Sequence, residues 1–323
     1  MRSIPERSVT VLLVVFVALT ATAGAGAAQA PLKKKVLPVL SSTDDVGKLT
    51  PCGCHTPKGG FARIASLVDS TKIKYGDALV VEAGDFAGDA SLPHEAERLP
   101  FQMNMFQTIG YDAIGVGERE LGFGVDTFRT LAQKSKVPVT SANLIDRKTG
   151  KPAFEPYVIV KKGNLKVGVF SVIGMNIELP ADAAERLRVD DPVIAALRTV
   201  DELRKQCDVV VMLAHVGRAD GEDMAAEVPG LDVVILSHHP GIVAQGRRVN
   251  GAITVASGEQ IENMGYTLVS FDAAGKVSDL SSEAKVLLPE VGERGDIARL
   301  VKNFEDARNE QFKKDAQDKA VKS

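Results

Sequence analysis

The sequence predicts an α/β protein in which β-sheet is layered under helices, and three observations carry that reading. Apolar runs of strand length recur from Val36 onward. Helical patterns lie between many of them, giving the repeated strand-helix-strand units of a layered α/β fold. The composition, 45% hydrophobic and 25% charged over 323 residues, is ordinary for a globular chain, so a core can be built and wholesale disorder is excluded.

The first thirty residues are set aside from this fold. Arg2 and Arg7 give a positive start, Val9 to Leu19 is nearly all apolar, and Ala21 to Ala30 is rich in Ala and Gly, the layout of a secretory signal. Its apolar run of ~11–12 residues is short of the ~20 needed to span a bilayer. Residues 1–27 are therefore expected to be removed, since cleavage after Ala30 would place Pro31 first. An uncleaved anchor is the alternative. The reading implies an exported, periplasmic or extracytoplasmic protein with no membrane span after cleavage, in an oxidising compartment for Cys52, Cys54 and Cys207.

In chain order, the expected strands are Val36 to Leu40, Ala78 to Glu82, Ala113 to Val116, Val137 to Ser141, Tyr157 to Lys161 and Leu165 to Val172. Val209 to Ala214, Val233 to Leu236, Ala252 to Ser257 and Tyr266 to Asp272 follow. The expected helices are Gly60 to Ile73, Arg98 to Ile109, Asp126 to Ser135, Pro192 to Gln206 and Asp220 to Glu227. The domain spans 36–288, and the charge-dense segment 289–323 reads as a C-terminal surface helix or frayed tail with a sparse apolar stripe at Val291, Ile297, Val301 and Phe304. A net charge of -3 gives no field to gather nucleic acid, and 5% aromatics without Trp exclude extensive stacking platforms.

Chemistry-bearing residues fall just beyond strands, where an open sheet exposes its ligand-binding loops. One strand runs into Gly84-Asp85, another into Gly117-Glu118-Arg119-Glu120, a third into His215 and a fourth into Ser237-His238-His239. A carboxylate and imidazole set of this kind suits a divalent Zn, Mn or Fe ion. Taken singly, a strand-end Asp is also a common helix cap, and a lone His a common structural hydrogen-bonding group.

Further runs keep the same order. They include Gly59-Gly60-Phe61-Ala62-Arg63, Glu82-Ala83-Gly84-Asp85, Gly110-Tyr111-Asp112-Ala113 with Val116-Gly117, and Ser141-Ala142-Asn143. Lys166-Val167-Gly168-Val169, Leu213-Ala214-His215-Val216-Gly217 and Val228-Pro229-Gly230-Leu231-Asp232 complete the series. From Leu37 to Val277 the chain thus resembles the metallophosphoesterase (calcineurin-like) superfamily, specifically the catalytic domain of bacterial periplasmic 5'-nucleotidases and UDP-sugar hydrolases. The resemblance implies a two-sheet β-sandwich flanked by helices in four layers, with one or two divalent metal ions at the strand ends and a small phosphorylated substrate.

Carried over residue by residue, the resemblance implies Asp85, His215 and His238 as metal ligands, with Glu118 standing where the family has Asn. Arg119 stands where the family has its transition-state His, so its implied role is contact with a phosphoryl oxygen; a guanidinium keeps its proton and cannot act as a general acid. Asp44 fits the opening Asp of the second site, but Val46 occupies the position of the following His, and Pro240 that of the last His. The loop Pro51-Cys52-Gly53-Cys54-His55 adds two thiols and an imidazole near this altered half, making Cys52, Cys54 and His55 with Asp44 the second-site candidates. The loop, with Gly117-Glu118-Arg119-Glu120-Leu121, also resembles a divergent exported branch of the family.

The alternatives for the two thiols are a strained disulfide or plain turn residues. Cys207 reads as a buried hydrophobe and His94 as a solvated side chain in a polar loop. After Val277 the remainder falls below the ~50-residue floor of a domain, so the family's C-terminal nucleotide-binding domain is not expected. Two functions stay open: an exported metal-dependent phosphoesterase with an altered site, or a non-catalytic metal-binding or redox-partner module on the same fold.

Overall fold

The computed structural model describes residues 35–322; the expected signal segment lies outside them. The chain enters through β1 (Val36–Ser42) and continues as α1 (Phe61–Tyr75), β2 (Leu79–Glu82), α2 (Glu95–Ile109), β3 (Ala113–Gly115), α3 (Glu118–Leu121), α4 (Val125–Lys134) and β4 (Val139–Thr140). Strands β1 to β4 are parallel neighbours in sequence order, which requires crossover connections rather than hairpins.

A short strand, β5 (Leu144–Asp146), is followed by the antiparallel pair β6 (Val158–Lys162) and β7 (Leu165–Ile173). Helix α5 (Ala181–Arg186) leads into β8 (Leu187–Val189), which pairs with β5 as a two-stranded ribbon. Then come α6 (Pro192–Arg204), β9 (Val209–His215), α7 (Arg218–Glu227), β10 (Val233–Ser237), β11 (Arg247–Val249) and β12 (Ala252–Val255). They build a second sheet of order β11-β12-β10-β9-β7-β6, in which β7, β9, β10 and β12 are parallel. Helix α6 starts where its sequence dictates: Asp191 accepts from the Val193 and Ile194 amides, and Pro192 takes a first-turn position that needs no N–H.

The last strands, β13 (Asn263–Phe271) and β14 (Val277–Val286), return to the first sheet, giving the order β14-β13-β1-β2-β3-β4. Helix α8 (Gly295–Lys322) ends the described chain. Side chains alternate across each strand. Val39, Leu79 and Val81 meet Val211, Leu213 and Ile235 between the sheets. Leu40, Val80 and Ile114 turn outward to Phe61, Ile64 and Phe106, while Val210, Met212 and Leu236 turn to Ala195, Val200 and Met224. The result is a helix-sheet-sheet-helix sandwich, and each fully buried Val, Leu, Ile or Phe contributes about 1.5–3 kcal/mol.

Several expectations are corrected. Strand β14 escaped the apolar pattern because it is an edge strand whose run Ser281-Ser282-Glu283 is largely solvated. Strands β5, β8 and β11 have three residues each, too short for any periodicity to register. Of the two readings of the charged C-terminal segment, the structure has the helix, α8, and not the frayed tail. Ile297 and Val301, on the inner face of α8, are buried in the core, and Phe304 stacks on Phe101 with ring centroids 4.1 Å apart. His94 is half-buried rather than solvated: its Nε2 is 2.8 Å from Asp315, and its ring meets Phe312 edge-on. Cys207 is half-buried against the outer cluster of the second sheet, and burial pushes its thiol pKa up.

Candidate metal centre

Four strand ends converge on one point. Asp85 follows β2, Glu118 follows β3 and begins α3, His215 is the last residue of β9, and His238 follows β10. Two ends come from each sheet, at the carboxyl edges of parallel strands. The ligand atoms of these four side chains all lie within 4.8 Å of one another. His215 Nε2 is 2.8 Å from Glu118 Oε2 and 3.6 Å from Asp85 Oδ1, and His238 Nδ1 is 3.4 Å from Glu118 Oε1.

Backbone strain concentrates here. Among the described residues, nine other than glycine have positive φ, and Asp44, Val46, Asp85, His238 and His239 are five of them. Two glycines allow the loops after β2 and β3 to cross. Gly84 has φ +98, and a side chain there would stand 2.8 Å from the Gly117 nitrogen and 3.0 Å from His215 Nδ1. A Cβ on Gly117 would stand 2.6 Å from the Asp85 nitrogen. Buried Glu120 braces the crossing by accepting from the amides of Gly117 (2.9 Å), Asp85 (3.2 Å) and Ala87 (2.9 Å).

Asp44 acts from behind. Its carboxylate accepts from the Ser237 hydroxyl (2.8 Å) and from the amides of His238 (3.1 Å) and His239 (3.2 Å). Because Ser237 spends its proton on Asp44, its oxygen is free to accept from His215 Nδ1, 3.0 Å away. That relay puts a proton on Nδ1, which leaves Nε2, aimed at the carboxylates, as the nitrogen that would bind a metal.

Burial and mutual contact shift the protonation of these groups. Burial, then the charges of Glu120 and Glu118, push the Asp85 carboxyl well above its usual range. Burial opposes ionisation of Glu118 too, but the His215 and His238 imidazoles outweigh it and hold that carboxyl well below the usual range. Burial disfavours charge on His215, yet the Glu118 carboxylate prevails and raises its pKa. His238 Nδ1 is buried and faces Glu118 Oε1 at 3.4 Å outside good hydrogen-bond geometry. Two carboxylates and two imidazoles with ligand atoms this close fit one divalent transition ion.

The second-site candidates divide. Among the described residues, no group of three or more potential ligands includes Asp44 or His55, and none joins the cysteines to Asp85. Asp44 is occupied by Ser237 and the two histidine amides, and His55 is exposed. Cys52 and Cys54 group instead with Glu262, and both thiols are free. Arg119 donates its amide to Asp85 Oδ1 and its Nε to the Ala87 carbonyl, each at 3.0 Å, and lines an open cavity of about 530 Å³ with Val46, Gly88, Arg98 and Glu305, whose walls include none of the four clustered residues.

Reading the sequence gave no role to Glu120, Ser237 and Glu82, though they stand in the quoted runs, and did not single out Asp45. Glu120 had a signal, since a glutamate three residues after the Gly117 cap is a capping-box spacing. Ser237 had none. Asp45 and Glu82 are fully buried, and both Asp45 oxygens and Glu82 Oε1 lack partners; burial and neighbouring carboxylates raise both pKa values well above the usual range.

No protein-family model matches the chain. A 2',3'-cyclic-nucleotide 2'-phosphodiesterase/3'-nucleotidase of Yersinia enterocolitica is 27% identical over 274 residues, covering 71% of this chain and 42% of that protein. The chain thus spans less than half of that relative. A 5'-nucleotidase precursor of Thermus thermophilus superposes with a TM-score of 0.75 at 21% identity, over 84% of this chain and 59% of that one. The calcineurin-like phosphoesterase YfkN of Bacillus subtilis gives 0.71 at 20% identity, over 87% of this chain and 99% of that one. The chain has the metallophosphoesterase fold, and in sequence it resembles part of bacterial 5'-nucleotidases and 2',3'-cyclic-nucleotide 2'-phosphodiesterase/3'-nucleotidases.

Proposed function

We propose that the protein is an exported, metal-dependent phosphoric-ester hydrolase with an altered active site, acting on a small phosphate ester or anhydride. The observation that carries this reading is the convergence of Asp85, Glu118, His215 and His238. These four residues would hold one divalent ion of Zn, Mn or Fe. When bound, such an ion supplies Lewis-acid polarisation of a phosphoryl oxygen and makes the attacking water more acidic.

The chain's own residues do the rest. Glu120 and the glycine crossing fix Asp85, and the Asp44 to Ser237 to His215 relay fixes the imidazole. Arg119, held next to Asp85 through its amide and anchored through Nε at Ala87, would offer its terminal guanidinium nitrogens to a phosphoryl oxygen. It stabilises charge and transfers no proton. Export is supported by the character of residues 1–27, and no helix among the described residues is long and apolar enough to cross a membrane.

The test is a broad phosphatase panel on the metal-loaded protein, with Asp85→Ala as control and bound metal measured in both. Turnover of a phosphate ester or anhydride that disappears with the metal in Asp85→Ala is expected. Stoichiometric metal with no turnover on any phosphorylated compound would instead favour the non-catalytic metal-binding module.

A further inference from the structure

Away from the Asp85 centre, the described residues hold one other convergence of potential ligands. Cys52 Sγ, Cys54 Sγ and a Glu262 carboxylate oxygen all lie within 4.8 Å of one another. The two parts are distant in sequence, and the fold clamps them together. Cys52 donates its amide to the Lys58 carbonyl (2.8 Å), and the Lys58 amide donates back to Cys52 Sγ (3.3 Å), closing the loop on itself. Leu287 then holds both halves: its carbonyl accepts from Gly59 (2.9 Å), and its amide donates to the Glu262 carbonyl (3.0 Å). Arg63 pins the same loop through the carbonyls of Pro57 (2.5 Å) and Leu287 (3.1 Å).

The approach is close enough to require glycine. Gly59 has φ +83, and a Cβ there would stand 2.6 Å from the Ile261 carbonyl oxygen and 3.2 Å from the Glu262 Cα. Cys54 is exposed and Cys52 and Glu262 are half-buried, so an ion can reach them from solvent. Thiolates with a carboxylate are a zinc-class donor set, softer than the oxygen and imidazole set at Asp85. The Lys58 N–H already points at one sulfur, the contact that orients and stabilises a thiolate ligand.

We propose that Cys52, Cys54 and Glu262 form a second metal site, separate from the Asp85 centre, which takes a zinc-class divalent ion through two thiolates and one carboxylate. Binding transfers the two thiol protons to solvent and leaves one coordination position open, with His55 next in sequence to Cys54.

The experiment titrates the reduced, chelator-treated chain with cobalt(II) and reads thiolate-to-cobalt charge-transfer absorption. A saturable band is expected, displaced by zinc, with alkylation of Cys52 and Cys54 slowed about tenfold by zinc while Cys207 is unaffected. Cys52→Ser and Cys54→Ser should abolish the band, and Glu262→Gln should weaken cobalt binding about 10–100-fold. His215→Ala, which removes a residue of the other centre, should leave the band in place. Each variant is checked for an unchanged circular dichroism spectrum. Absence of the band, its survival in the serine variants, its loss in His215→Ala, or unchanged affinity in Glu262→Gln would overturn the proposal. So would a reduced chain that takes up no metal and only re-forms a Cys52 to Cys54 disulfide.

Discussion

At the scale of single residues, Arg119 sets the chemistry apart from that of a site with a histidine in its place. Its amide and Nε tie it to Asp85 and Ala87, so the guanidinium is positioned, but it holds its proton throughout. General acid-base assistance is typically worth ~10²–10⁴-fold, and the proposed enzyme lacks it at this position. Turnover should accordingly be slow, and Arg119→His should raise kcat on whichever ester the panel identifies, with metal content unchanged. A drop in kcat with intact metal would show instead that phosphate contact by the guanidinium outweighs the missing acid.

Among the elements, the decisive feature is the crossing of the loops that leave β2 and β3. Each strand is short, four and three residues, and each delivers a carboxylate only because glycine backbones pass within a few ångströms. Gly117 has ordinary φ, so Gly117→Ala is a purely steric change pressed against Asp85. It should destabilise the protein by about 1–3 kcal/mol, as overpacking does. Metal affinity at the Asp85 centre should fall about 10–100-fold, because the support of a ligand is displaced. Isothermal titration with zinc, beside a urea unfolding curve, measures both. Undiminished affinity would mean that the crossing does not set the position of Asp85.

Over the whole molecule, α8 belongs to the domain it follows. Arg98 donates to the Gly47 carbonyl (2.8 Å) and to Glu305 of α8 (2.7 Å), and Arg308 of α8 pairs with Glu95 of α2 (2.5 Å). The helix therefore braces the loop after β1 and, through Glu305 and Asn309, walls the cavity that Arg119 lines. Its own Ile297 is wholly buried. Ile297→Ala should cost about 2–5 kcal/mol, read from the urea midpoint, as for other large-to-small core changes. A cost well under 1 kcal/mol would mean that the helix unfolds before the rest.

The sequence by itself determined the alternating elements and the strand-end residues, because apolar periodicity and strand-end glycines are local properties that survive in one dimension. Asp85, Glu118, His215 and His238 could be named from it because each directly follows or ends a recognisable apolar run. Tertiary structure alone decided what stands behind and between them. Asp44, a second-site candidate in the sequence, also serves as the acceptor that holds Ser237 and through it His215, a role that hydrogen-bond partners 193 residues apart leave without trace in local pattern. Cys52 and Cys54 met Glu262 rather than Asp85, because β13 returns from the far end of the chain to pair with β1 and carries the segment before it alongside the cysteine loop. The charged C-terminal segment gave too sparse a stripe to reveal its docking, because its burial depends on ion pairs and aromatic contacts supplied by α2, which only the folded chain brings within reach.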